Sequence, residues 1–492
     1  MGWKEVAGPV LTRMPGVRRP EGHVPFRQKL AWTAGILVLY FFLTNVELWG
    51  LGGDASSILG SEFQALLAAQ QGSIMQLGIG PIVTASIVLQ LLNGADLLGL
   101  DTSQPRDQMI YQGLQKALVI VMIVLTGLPM VFMGGFLPPS SALGQQLGIG
   151  VGGVQWLMFA QIAVGGMLVL YMDEVVSKWG VGSGVGLFIV AGVAQSLVSG
   201  IIYWGGNPGG LIPSWLGIAT GAVDIGRVVG GPGLQTVLFN QNFGLVPVLT
   251  TVLIFVIVVY AESVRVEIPL SHAQVKGARG RFPVKLIYAS VLPMILVRAL
   301  QANIQFVGRL AASQWNLPSW LGVYTTQNGQ IGDPVGGLLY YMAPIQQPGD
   351  WMWWTGGFAQ ETWQVLLRVG VDLTFMIIGG AIFAIFWVET ADMGPESTAQ
   401  QIMNSGMQIP GFRKNPAVIE KVMERYIPQV TVLGGALVGL LAVMANMLGT
   451  IGGVSGTGLL LAISITYKLY EEIAEEQLME MHPMMRQMFG GG

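Results

Sequence analysis

The stretch GVGSGVGLFIV, residues Gly180 to Val190, places four glycines at alternate positions and then becomes wholly apolar. A phosphate-binding loop of the Walker type carries Lys and then Ser or Thr after its glycines, whereas only apolar residues follow Gly186 here. Two interpretations stay open. The glycines let membrane helices pack closely, or they let one helix enter beside a narrow axis that Val185 and Ile189, one turn apart, both face.

The composition is that of a membrane protein. Of 492 residues, 52% are apolar and 10% are charged, and most apolar runs approach twenty residues, enough to cross a hydrocarbon core about 30 Å thick. We predict an all-α polytopic membrane protein with ten transmembrane helices. The predicted spans are Leu30–Leu48, Ile74–Leu92, Gly113–Phe136, Gly153–Tyr171, Gly184–Trp204, Gly244–Tyr260, Val284–Val307, Gln364–Val388, Gln429–Leu448 and Gly453–Tyr470.

The basic residues orient these spans. Lys and Arg cluster in the N-terminal segment and in the loops after spans six and eight, whereas the loops of the other side hold only Arg227 and Arg309. The positive-inside rule therefore places both termini in the cytoplasm. The predicted organisation is a cytoplasmic segment 1–29, a five-helix half 30–204, an external loop 205–243, a second half 244–470 with cytoplasmic loops 261–283 and 389–428, and a cytoplasmic tail 471–492.

Two short stretches repeat each other. SGVGLFI, Ser183 to Ile189, opens the fifth span, and SGTGLLL, Ser455 to Leu461, opens the tenth. A weaker parallel relates GPIVTASIVLQ in the second span to LPMILVRALQ in the seventh. Paired halves are common in membrane transport proteins, with the pathway at their interface. We therefore predict two pseudo-symmetric five-helix halves whose shared glycines lie at a functional interface.

Ionisable residues inside spans indicate function because they are costly there. Arg298, Arg368 and Asp372 lie in predicted spans. The last two, four residues apart, can pair on one helix face, but both lie toward the outer end of span eight, and snorkelling to the membrane interface is the favoured interpretation. An ion-coupled transporter of a small solute is the alternative function, but it needs convergent polar groups at mid-membrane, and the candidate axis is apolar. All three histidines fall in predicted cytoplasmic regions, so no enzyme, metal site or cofactor is predicted.

Several long stretches resemble the SecY family of protein-conducting channels in its archaeal form. They occur in the family's order and cover most of the chain. The stretches are QLGIGPIVTASIVLQLL, YMDEVVSKWGVGSGVGLFIVAGVAQ, YAESVRVEIPLSHAQVKGARGRFPVK, ALQANIQ, IFWVET, GFRK, RYIPQVTVLGGALVGLLAVMANMLG and GTGLLLAISITYKLYEE.

The resemblance implies an hourglass channel with a lateral gate between the second and seventh helices. Its waist would be an apolar pore ring, which settles the glycine question in favour of pore lining. The implied ring residues are Ile79, Val83, Val185, Ile189, Ile295 and Leu461. A polar cluster of Thr84, Gln195 and Asn303 would lie in the lateral gate.

Further expectations concern the plug, the ribosome and partner subunits. The segment 54–73 is amphipathic through Ile58, Phe63, Leu66 and Leu67 and would hold the plug helix; an ordinary surface helix is the alternative. Two cytoplasmic loops would dock on ribosomal RNA through Lys276, Arg279, Arg281, Arg413 and Lys414. The resemblance also implies a SecE-like subunit, a single-span beta subunit, nascent polypeptides, signal sequences and lipid as partners, in the plasma membrane.

Overall fold

A helix lies at each of the ten predicted spans. The structure, a computed structural model, describes residues 8–9, 11–22, 24–52, 68–94, 97–100, 104–133, 136–205, 209–220, 237–240, 244–272, 279–285, 292–315, 317–327, 330–355, 360–391, 393–404, 407–408 and 416–481. Its long helices are α1 (Phe26–Thr44), α2 (Gly80–Gly94), α3 (Pro105–Phe132), α4 (Gly150–Trp179), α5 (Gly184–Ile202), α6 (Leu245–Ser263), α7 (Leu292–Gln314), α8 (Thr362–Thr390), α9 (Pro416–Leu448) and α10 (Gly456–Met481).

Six of these helices, α3, α4, α5, α6, α8 and α9, are long and apolar enough to cross a membrane by length and composition. Helix α2 is apolar but shorter. The outward side chains of α6 illustrate the consequence, because Leu249, Val252 and Phe255 are each more than half exposed. Such a face suits a hydrocarbon solvent rather than water.

Short elements occupy the connections. Strands β1 (Arg265–His272) and β2 (Arg279–Lys285) pair antiparallel, and β5 (Met407–Gln408) extends them. Strands β3 (Val323–Gln327) and β4 (Gln330–Gly336) form a second antiparallel pair between α7 and α8. The remaining short helices are Ser141–Gln146, Leu211–Ala219, Leu338–Tyr341, Pro348–Asp350, Trp353–Thr355, Pro395–Asn404 and Ile451–Gly453.

Helix α9 starts well before the predicted span. It begins at Pro416 rather than Gln429 and continues through Pro428, although proline disfavours a helix interior. The added turns carry Ile419, Met423 and Ile427, which recur every fourth residue and are buried against the helix Pro395–Asn404. Part of the predicted loop 389–428 is therefore an amphipathic extension of α9.

Two other predicted boundaries also shift. Helix α10 runs to Met481, so the predicted tail 471–492 begins as helix, and Lys29 of α1 forms an ion pair with Glu476 there. Helix α7 continues to Gln314, which places Arg309 inside a helix rather than in an external loop. In both cases polar residues lowered the hydropathy on which the sequence boundary depended.

The main core is a continuous apolar cluster, beside the smaller one around the start of α9. It takes buried side chains from all ten long helices, among them Tyr40 of α1, Ile254 of α6 and Leu461 of α10. The two predicted halves therefore meet in a shared interior, and the candidate site lies within it.

Candidate functional site

The glycine-rich stretch forms the turn that joins α4 to α5 and the first turns of α5. Helix α5 begins at Gly184, and the Asp173 carboxylate of α4 accepts a hydrogen bond from the Val185 N–H at 2.9 Å. This bond satisfies one of the backbone donors left free at a helix N-terminus. A Cβ at Gly184 would lie 2.6 Å from the Asp173 Cα, so the contact requires glycine. Sequence reasoning missed Asp173, although it stands in the quoted stretch YMDEVV shortly before the glycines.

The repeated glycines contact each other's helices. A Cβ at Gly186 of α5 would lie 3.1 Å from Ile465 of α10, and a Cβ at Gly458 of α10 would lie 3.5 Å from Val193 of α5. The alignment that pairs Gly186 with Gly458 also pairs Val193 with Ile465. The two contacts are therefore equivalent under the internal repeat, and the glycines pack α5 closely against α10.

The six residues of the predicted pore ring come from four separate parts of the fold. Ile79 immediately precedes α2 and Val83 lies on it, and the others lie on α5, α7 and α10. Five of them are at most 5% exposed, Ile79, Val83, Ile189, Ile295 and Leu461, and Val185 is half-buried. All six belong to the shared apolar cluster or pack against it. The structure brings them into one interior, and their role as a pore constriction stays a prediction.

Two of the three residues of the predicted gate cluster meet between α2 and α7. The Asn303 Nδ2 donates a hydrogen bond to the Thr84 Oγ1 at 3.3 Å. Beside this bond lies a small cavity of about 40 Å³, lined by α2, α3 and α7. Gln195 lies on an exposed face of α5, and the structure gives it no hydrogen bond to either residue. The polar contact across the α2–α7 seam is thus a pair in this structure.

Buried charged residues of α7 and α8 pair between the two helices. Asp372 contacts Arg298 of the neighbouring helix at 3.4 Å, with both side chains buried. It also accepts a hydrogen bond from Gln301 at 3.1 Å. Arg368 instead donates to the carbonyls of Ala343 and Pro344 at 3.1 and 2.8 Å. Arg368 and Asp372 therefore do not form the pair that their spacing allows, because Arg298 of another helix takes the carboxylate.

Most residues of the predicted plug and docking loops lie outside the described part of the chain. Arg279 and Arg281 are the exceptions, since their backbones belong to β2 and pair with Ser271 and Pro269 of β1. This hairpin is joined to α10 by an ion pair between Arg265 and Glu471 at 3.1 Å. The residues outside the described ranges are Ile58, Phe63, Leu66, Leu67, Lys276, Arg413 and Lys414.

Known proteins of one family are similar to this chain over its whole length. The sequence pattern of the SecY family matches residues 73–470. The protein translocase subunit SecY of Halobacterium salinarum is 70% identical in an alignment of 497 residues that covers 100% of both chains.

Solved structures give the same result. One is described as the structure of a protein conducting channel and is 36% identical, with a TM-score of 0.78. The match covers 96% of this chain and 98% of the chain in that structure. Another, Sec61 in the canine ribosome-channel complex from the endoplasmic reticulum, is 35% identical, with a TM-score of 0.74 over the same shares of the two chains.

Proposed function

The chain belongs to the SecY family, and from this membership we propose how its residues conduct a polypeptide. It is the pore-forming subunit of a protein translocation channel and a multi-pass membrane protein. The ion-coupled transporter considered above is not favoured. We infer that the chain is not itself an enzyme and that a partner supplies the driving force for transport.

We propose that Ile79, Val83, Val185, Ile189, Ile295 and Leu461 form the pore ring. Branched apolar side chains can close around peptides of many shapes, and a narrow apolar constriction loses its water and opposes ion passage. A polar lining would hold the peptide by specific bonds and admit ions. Support comes from the burial of these residues in the interior that the two halves share.

We propose that the seam between α2 and α7 is the lateral gate. A signal sequence must leave water for lipid, so the gate should be closed by weak contacts that a more apolar segment can replace. The bond between Asn303 and Thr84 is of this kind, since interhelical hydrogen bonds in membranes contribute about 0.6 to 2 kcal/mol. Gln195 is proposed as a more distant member of the cluster, reached when the helices move.

Partners and location follow from the family as proposals. The segment 54–73 is proposed as the plug, and the basic loops as the docking site for ribosomal RNA, which should make binding salt-sensitive. The related Sec61 structure in a ribosome-channel complex supports a ribosome partner. We further propose a SecE-like subunit and a single-span beta subunit, a location in the plasma membrane, and cytoplasmic termini.

The observation that carries the pore proposal is that Val83 and Ile189, from two helices of the first half, are both buried in the apolar interior that also holds Ile295 and Leu461 of the second half. A photo-cross-linking side chain at either position should attach to a translocating polypeptide stalled on its ribosome. Leu249, which is 69% exposed on the outer face of α6, is the matched control and should give no such product. Equal labelling at Leu249, or none at Val83 and Ile189, would overturn the proposal.

A further inference from the structure

Four polar side chains on one face of α7 are buried among apolar helices. Arg298, Gln301, Gln305 and Arg309 are 2%, 1%, 6% and 7% exposed. They are three or four residues apart, which at 3.6 residues per turn keeps them within about 80° around the helix. We call this set the polar ladder. Buried polar groups are costly unless they find partners, so the partners explain why the ladder is tolerated.

Three members of the polar ladder bind the residues that follow α7. We call the described residues 317–327 and 330–355 the connecting segment. Gln305 donates to the Leu339 carbonyl at 3.0 Å, Gln301 donates to the Met342 carbonyl at 3.0 Å, and Arg309 forms an ion pair with Asp333. The fourth member, Arg298, contacts Asp372 of α8 at 3.4 Å. One face of α7 is therefore attached along about 16 Å of its length.

The connecting segment is in turn attached to α8 and α9. The Ile345 N–H donates to the Asp372 carboxylate at 3.3 Å, and Asn446 of α9 donates to the Ile345 carbonyl at 3.0 Å. Arg368 of α8 binds the two preceding carbonyls and stacks on Tyr340, with its guanidinium carbon 5.0 Å from the ring centre. Helices α7, α8 and α9 thus share one polar scaffold.

The opposite face of α7 is attached differently. Asn303 lies about 160° around the helix from Gln305 and reaches Thr84 of α2 through a single hydrogen bond at 3.3 Å. The small cavity on this side is lined by apolar side chains such as Leu77 and Met130 and by Gln76 and Thr126, whose described hydrogen bonds go to Gly72 and Met122. The polar attachments of α7 are therefore concentrated on the side that faces away from α2.

We propose that the polar ladder is a set of positioning residues that holds α7 to the connecting segment and α8, so that these elements move as one body when α7 separates from α2. The proposal rests on the proposed lateral gate. It makes the connecting segment part of the moving side of the gate rather than a passive loop. Loss of the ladder should release α7 and let the seam open for weaker signals.

Cross-linking tests the single-body movement directly. The chain has no cysteine, so Gln305→Cys with Leu339→Cys introduces the sole reactive pair, and Thr84→Cys with Asn303→Cys is the matched pair across the gate. Each full-length variant is treated in native membrane vesicles with a short thiol cross-linker that a reductant cleaves. We expect the ladder pair to translocate a reporter equally well before and after cleavage, and the gate pair to translocate only after cleavage.

The outcomes separate the two proposals. If the cross-linked ladder pair blocks translocation and cleavage restores it, the connecting segment must separate from α7 and the ladder proposal fails while the gate stands. If the cross-linked gate pair translocates freely, the gate fails and the ladder proposal fails with it.

Substitution of ladder residues gives a second test, which measures the signal hydrophobicity required for export. Loss of folding would not lower that requirement. Gln301→Met with Gln305→Met should lower the signal hydrophobicity needed for export, at a normal amount of folded protein. Gln314→Met, at an exposed position of the same helix, should leave that requirement unchanged. If the well-folded double variant requires the same signal hydrophobicity as the unmodified chain, the proposal is overturned. If the double variant does not fold, the cross-linking result of the ladder pair tests the proposal instead.

Discussion

Asp372 is a buried carboxylate whose partners lie on a neighbouring helix and in the connecting segment. Replacing it by Leu leaves Arg298 buried without its counter-charge. We expect a loss of about 3–5 kcal/mol in the free energy of unfolding, since breaking a buried ion pair costs that much. Adding Arg298→Met should recover a large part of the loss. Thermal unfolding of the purified complexes gives both values, and strictly additive losses would contradict the pairing.

Tyr324 of β3 shows the opposite case, a buried polar atom with no hydrogen-bond partner among the described residues. Burial raises the pKa of Tyr324 to about 12 from its ordinary value of 10. Because the folded state favours the neutral phenol, this group's contribution to stability is complete below pH 10 and is lost as the pH rises toward 12. Tyr324→Phe should retain stability at pH 7 and reduce the loss between pH 10 and 12. Unfolding measured across this range tests it, and marked destabilisation at pH 7 would show that the hydroxyl is bonded.

At the residue scale, the sequence predicted that charges inside spans would matter but not how they pair. Asp372 has Arg368 four residues before it, a spacing that fits a helix pair, and Arg298 is far away in sequence. Only the packing of α7 against α8 decides between them. Asp173 escaped notice for the same reason, since its partner Val185 is a backbone donor that the fold alone brings near.

Among the elements, α5 and the turn before α10 approach each other most closely at two glycines. A Cβ on Gly200 would lie 2.3 Å from the Gly452 Cα, which is backbone and cannot rotate away. We expect Gly200→Ala to destabilise the protein by about 1–3 kcal/mol through overpacking. Gly35→Ala in α1 is the control, because no atom outside its own helix lies within 4 Å. It should be neutral or stabilising. Equal stability of the two variants would argue against the contact.

The seam between α2 and α7 carries a prediction about signals. Asn303→Leu removes a bond of about 0.6 to 2 kcal/mol, which water can replace when the seam opens. It also adds apolar surface beside Leu77 and Met130, and burying a leucine contributes about 1.5–3 kcal/mol. The closed seam should therefore be favoured, and only more hydrophobic signals should be exported. Thr84→Val should shift the requirement less. Export of a signal series measures it, and identical thresholds would refute the gating role.

The existence of the long helices followed from the sequence, whereas several of their ends, the strands and most short helices did not. A run of about twenty apolar residues can only be helix in a membrane, and a helix lies at each of the ten predicted runs, six of them long and apolar enough to cross a membrane. The start of α9 was missed because Ile419, Met423 and Ile427 form a narrow stripe on an otherwise polar helix. The stripe is buried because the helix Pro395–Asn404, together with Ala384 and Val388 of α8, packs on it. The polar cluster of Thr84, Gln195 and Asn303 was predicted from the family resemblance rather than from periodicity, and in the structure two of its members are bonded.

At the scale of the whole molecule, the two halves contact each other at two places, each between two helices that the internal repeat relates. The equivalent contacts of Gly186 and Gly458 bring α5 and α10 together, while α2 and α7 meet through the bond between Asn303 and Thr84. Helices α5 and α10 are packed closely at their glycines, whereas the polar contact between α2 and α7 is a single weak hydrogen bond. This difference is what we expect if the proposed gate between α2 and α7 opens while α5 and α10 stay in contact.

The pore ring should behave as a seal, and ion conductance tests it. Replacing Ile79, Val83, Val185 and Ile189 with Gly removes the branched side chains that would exclude water from the constriction. We expect a higher resting conductance in planar bilayers that contain the full complex. Ile189→Leu keeps the apolar volume and should keep the seal. Unchanged conductance in the glycine variant, at a normal amount of folded complex, would mean that these residues fill a solid core, and the pore would then have to lie elsewhere.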